Sequence, residues 1–161
     1  MPHEKEMTID LTDSTGEVSL SDLQGLRQQI AAVLLHLGLA GTLRVRVVAD
    51  VEMAAAHEEF TGVPGTTDVL TFDMNEMEDA RLTLDADVLI CVDEARRQAN
   101  DRAHTVPEEL LLYVVHGVMH CLGHTDDTEE GYQAMHAAED AALGATGVGA
   151  LFGERGGFRP H

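Results

Sequence analysis

Only two cysteines occur among the 161 residues, and no apolar run is free of charge or glycine for long. Cys91 and Cys121 each sit inside an apolar segment, which predicts buried free thiols in a reducing cytoplasm rather than a disulfide framework. No stretch reaches the length needed to cross a bilayer, so no membrane partner is expected. The opening Met1-Pro2-His3-Glu4-Lys5-Glu6 lacks the basic start and apolar centre of a secretory signal, which again predicts a cytoplasmic protein. Positive charge is scarce as well. Asp and Glu total 29 against 10 Lys and Arg, a formal net charge of -19, and Lys5 is the one lysine. Such a surface repels polyanions at long range and counts against nonspecific nucleic-acid binding, which depends on basic contacts to phosphate; no DNA partner is expected. Internal repeats and an interdomain linker are also missing. What is present, 44% hydrophobic and 24% charged residues, describes one globular domain able to bury a core.

Hydrophobic periodicity divides the chain into elements. Thr8–Leu11 alternates as a short strand. A helix follows with Ser21 as its cap and apolar positions at Leu23, Leu26, Ile30, Val33, Leu34 and Leu37, ending near Gly38. Leu43–Val47 alternates strictly, a strand with Arg44 and Arg46 on its wet face. Val51–Phe60 reads as a short helix, broken by Gly62-Val63-Pro64-Gly65. Asp68–Phe72 and Leu84–Val92 read as strands on either side of an acidic connection at Asn75–Ala80. Asp93–Arg102 is helical. Thr105-x-x-Glu108 forms a capping box, with Pro107 in the first turn of a central helix running to about Leu122. A last helix spans about Thr128–Leu143. The fold class expected is α+β: a single domain over residues 1–143, with a mixed sheet of about four strands, four or five helices and a Gly-rich, poorly ordered tail over 144–161.

The chemistry concentrates in His116-Gly117-Val118-Met119-His120-Cys121-Leu122-Gly123-His124-Thr125-Asp126-Asp127. His116 and His120 are four apart on the central helix, so both imidazoles share one face and can share one metal ion. Zinc takes neutral imidazole nitrogen or carboxylate oxygen in a tetrahedron, and two histidines leave that shell half filled. A continued helix would place His124 about 12 Å along the axis from His116, too far for one ion. Gly123 offers a left-handed turn at the helix end, after which Asp126 can come back to the metal. Asp126 is therefore the first choice for third ligand, with His124 or the neighbouring Asp127 able to replace it. Two neutral histidines and one carboxylate around one zinc ion per chain leave a site charge of about +1 and a fourth position for water, whose pKa falls to roughly 7. Cys121 points about 100° away from His120 and reads as core. Asp87 and Asp127 are possible general bases, although no residue stands out for that role. Arg44 and Arg46 could meet phosphates, but an ordinary solvated strand edge is the better reading of the pair.

These residues resemble the YbeY endoribonuclease family. Its usual pattern, His-Gly-x-x-His-x-x-Gly-Tyr-Asp-His, is matched here through Gly123, with His124 at the aromatic position and Asp126 at the third ligand position. Thr67-Asp68-Val69-Leu70-Thr71-Phe72 is similar to the family's Thr-Asp-Val-Leu-Ser-Phe strand, and Ala86-Asp87-Val88-Leu89-Ile90 to its Gly-Asp-Ile-x-Ile strand. The likeness runs from about Leu26 to Leu143. It implies a metzincin-like metal helix and a single-strand-specific, zinc-dependent endoribonuclease. The implied role is ribosomal RNA maturation, at the small-subunit 3′ end, and ribosome quality control, with ribosomal RNA and basic ribosomal proteins as partners. Two departures stand out. Thr61 follows Phe60 where the family often has Arg, which removes a cation that could hold a phosphate. Asp126 replaces the third histidine, which changes the charge at the metal. Two other readings compete: a non-catalytic, metal-bound assembly factor, and a zinc peptidase. The peptidase needs a glutamate directly after the first histidine, and Gly117 stands there.

Overall fold

The computed structural model describes residues 6–75 and 83–146. Most of the acidic connection after Asn75 and of the Gly-rich tail lies outside the described residues. The elements run β1 (Met7–Asp13), α1 (Leu20–His36), β2 (Ala40–Val48), α2 (Asp50–Thr61), β3 (Val69–Asp73), β4 (Thr83–Cys91), α3 (Val92–Arg102), α4 (Val106–Cys121) and α5 (Glu129–Gly144). The expected α+β class holds, with four strands and five helices among the described residues.

The sheet order is β1-β2-β4-β3. β1, β2 and β4 are parallel, and β3 pairs antiparallel with β4 at the edge. The parallel pairs need crossover connections, which α1 and the α2–β3 segment supply. Side chains alternate between faces along each strand. Ile9, Leu43, Val45, Val47, Leu84, Ala86, Val88 and Ile90 share one face and join Leu26, Ile30 and Leu34 of α1 and much of α4 in the main core. Among the described residues the other face is covered by α2, where Met53 meets Val48 and Cys91.

Several boundaries differ from the sequence reading for local reasons. Ser19, not Ser21, caps α1: its side chain accepts from the Asp22 backbone N–H at 3.1 Å. A cap bonds the residue two or three positions on, and both serines offered that pattern. β1 and β2 are longer than the alternating cores that announced them, because each completes its ladder with its neighbour.

α4 is the central element, in contact with α1, α3, α5, β3 and β4. Its start is fixed by the reciprocal bonds of Thr105 and Glu108, at 3.2 and 2.8 Å, with proline in the first turn. Glu109–Val115 and Gly117–Met119 are buried, so its position against the sheet is set by packing on nearly every side. His116 and His120 lie in the last two turns of this fixed rod.

Candidate metal centre

The end of α4 turns the chain back. Gly123 has φ of 96°, the left-handed region open to glycine. Its N–H donates to the His120 carbonyl at 3.0 Å, and the His124 N–H donates to the Met119 carbonyl at 3.1 Å. These two bonds form the Schellman pattern that closes a helix and reverses the chain. Thr128 then caps α5 by accepting from the Gly131 N–H at 3.0 Å. Between these two anchors hangs Asp126.

The structure brings His116, His120 and Asp126 together, with one ligand atom of each within 4.8 Å of the others. The Nε2 atoms of His116 and His120 are 3.0 Å apart, and His116 Nε2 lies 3.5 Å from Asp126 Oδ2. Donors held at about 2.0–2.1 Å around a tetrahedral ion sit about 3.3 Å from one another, so these spacings fit a zinc-sized ion. His124 and Asp127 are not in that group.

Charge around the pair is uneven. Burial pulls the His116 imidazole down, but its hydrogen bond with Glu139 and the charges of Glu139, Asp68 and Asp126 carry it above its ordinary value. Burial and then the charge of His116 hold His120 below its own, against the pull of Asp126. The Nδ1 of His116 lies 3.3 Å from Glu139 Oε2, reaching from α5. Sequence reasoning missed Glu139, because it lies 23 residues away in an apolar helix face. Asp68, read only as the start of a strand motif, sits close enough to His116 for its charge to act there.

Other nominated residues fall elsewhere. Asp87 alternates with the buried Val88 and projects from the sheet face away from α4, where it pairs with Arg44. Arg44 also holds Asp85 at 2.6 Å, and Arg46 holds Glu52 at 3.1 Å. These arginines line a cleft of about 660 Å³ with Phe60, Phe72 and Asp87, across the sheet from the histidines. Cys121 is half-buried rather than buried, and desolvation followed by the charge of Asp73 pushes its thiol up to about 11, so it stays protonated. Thr61 uses its hydroxyl in the turn that ends α2, donating to the His57 carbonyl at 2.7 Å and accepting from the Val63 N–H. Asp50, Cys91 and Asp93 form a second cluster of ligand-type atoms. Its carboxylates are already engaged, Asp50 by Arg97 at 2.8 and 2.9 Å and Asp93 by the Asp50 backbone N–H.

Gly117 has a steric role. A Cβ there would lie 2.5 Å from Thr71 Oγ1 on β3, so α4 touches the sheet at a point where any side chain requires Thr71 to shift. The glutamate a peptidase would carry at this position would have to displace the Thr71 hydroxyl. Gly117→Ala is expected to cost about 1–3 kcal/mol in urea unfolding, the range for overpacking a filled core. Adding Thr71→Ala removes the clashing oxygen and should restore most of that loss. An unchanged midpoint for the single variant would contradict the contact.

The family model described as "Endoribonuclease YbeY" matches residues 8–147. A protein of that name from Acidothermus cellulolyticus is 31% identical over 153 residues, covering 86% of this chain and 91% of its own. One from Cutibacterium acnes is 36% identical over 130 residues, covering 76% and 83%. The solution structure of a Thermotoga maritima protein superposes with a TM-score of 0.63 over 86% of this chain and 89% of that one, at 20% identity, a likeness of fold.

Proposed function

The chain belongs to the YbeY endoribonuclease family, and from that premise we propose that it is a metal-dependent endoribonuclease cutting single-stranded RNA. The observation that carries the reading is the convergence of His116 Nε2, His120 Nε2 and an Asp126 carboxylate oxygen at one point on the end of α4. A divalent ion held there, zinc by the donor set, would supply Lewis-acid polarisation of a phosphoryl oxygen. The remaining work belongs to the chain. Asp126 offsets one unit of the ion's positive charge and, with the two histidines, would leave a position on the ion for a phosphoryl oxygen. His120 is exposed beside the half-buried His116, which leaves the triad open to a ligand from solvent. The attacking oxygen is either water or the RNA's own 2′-hydroxyl.

The substrate class follows from exposure and charge. Arg44, Arg46, Arg96, Arg97 and Arg102 are each paired with carboxylates, so these five offer no free cation to grip a duplex backbone. A flexible single strand can present one phosphate to the triad without such a grip. Ribosomal RNA is the proposed natural substrate, at the small-subunit 3′ end, with a cytoplasmic location and a role in ribosome quality control.

A second reading has one specific observation in its favour. Thr61, at the family's frequent Arg position, is an uncharged residue engaged in a turn. A metal-bound assembly factor without turnover would tolerate that, and a basic ribosomal protein would suit its acidic surface. The test is to incubate zinc-loaded protein with matched single-stranded RNA, double-stranded RNA and single-stranded DNA. Cleavage of the first alone is expected. Binding of zinc without cleavage of any would favour the assembly factor.

A further inference from the structure

We propose that Glu139 is a positioning residue for the metal centre, holding His116 in the tautomer and ring orientation that present Nε2 to the ion. This rests on the metal-site reading of His116, His120 and Asp126. The Glu139 side chain has no solvent exposure. Its Oε2 lies 3.3 Å from His116 Nδ1, while its Oε1 has no hydrogen-bond partner among the described residues. The other imidazole within reach, His136 Nε2, is 3.9 Å from Oε1. A carboxylate buried this completely is costly unless a positive group offsets it. In the neutral form, the one that can give Nε2 to an ion, His116 offers Glu139 one N–H and no charge.

The geometry of the ring supplies the rest. Nδ1 faces Glu139 on α5, and Nε2 faces His120 and Asp126. With Nδ1–H donated to Glu139, the lone pair of Nε2 is left for the ion, and the carboxylate makes that nitrogen a stronger donor. A divalent ion with Asp126 and Glu139 then sums to zero charge, which is the offset the buried carboxylate lacks. α5 is thereby part of the site although none of its residues belongs to the ligand triad.

The test compares wild type, Glu139→Gln and Glu139→Asp. Zinc Kd is measured by competition with a chromophoric chelator, and the visible spectrum of the cobalt(II) form is recorded. Glu139→Gln keeps the shape and loses the charge. It is expected to bind zinc about 10- to 100-fold more weakly, the usual loss for such a partner, with a shifted cobalt spectrum. Glu139→Asp should recover part of the affinity. In the zinc form of wild type, ¹⁵N NMR should find His116 protonated on Nδ1 with zinc on Nε2, a measurement that needs no variant. Unchanged affinity and spectrum in Glu139→Gln, or zinc on Nδ1 of His116, would overturn the assignment while leaving the triad intact. A wild type that binds no zinc would overturn the triad and this assignment together.

Discussion

The His120→Ala variant is expected to lose zinc binding by more than about a hundredfold while keeping its fold. A lost outer partner of a metal ligand already costs about 10- to 100-fold, and a lost ligand costs more. His120 is exposed on the last turn of α4, so its removal opens no cavity in the core. The two effects therefore separate cleanly. Equilibrium dialysis reads the metal, and urea unfolding of the metal-free proteins reads the fold. Metal-free midpoints should agree closely. Zinc should raise the wild-type midpoint and leave that of the variant unmoved, because a ligand stabilises only the state that binds it. Wild-type affinity retained by His120→Ala would mean that the ion sits elsewhere.

The second large effect concerns the third ligand. Asp126→Asn is expected to weaken zinc by at least about tenfold, whereas Asp127→Asn and His124→Ala should change it less than about twofold. The argument is positional. The Schellman bonds at Gly123 and the Thr128 cap fix both ends of the connection, and Asp126 Oδ2 is the carboxylate oxygen found 3.5 Å from His116 Nε2. Asparagine keeps the size of the side chain and removes the charge, so the loss reads the electrostatic share. Chelator competition on the three variants decides it, and a large loss in His124→Ala with none in Asp126→Asn would move the third ligand to the imidazole.

The convergence of His116, His120 and Asp126 was more legible in the sequence than its surroundings. The i, i+4 pair, the terminal glycine and the downstream aspartate are local signals, and a helix end with a left-handed glycine has few ways to fold. The capping box of α4 was legible for the same reason. The burial of Gly117 against Thr71 was not, since it joins α4 to β3 across 45 intervening positions. Glu139 was hidden because a buried carboxylate in an apolar helix face gives no sign of its partner until α5 is laid against α4. Strand count could be read from alternation, but the placement of β3 at the antiparallel edge is a tertiary outcome. Asp87 is instructive in the other direction. It was read as a possible general base, and the structure sets it beside buried Val88 on the opposite face of β4, away from the histidines.

Thr61, which the sequence resemblance sets at the family's frequent Arg position, offers no cation to a phosphate. That makes activity, rather than metal binding, the direct test. The measurement is cleavage of a 5′-labelled single-stranded RNA by the zinc-loaded protein beside an identically purified His120→Ala variant. Internal cuts by the wild type and none by the variant are the expected result. Equal cutting by both would contradict a nuclease centred on His116, His120 and Asp126.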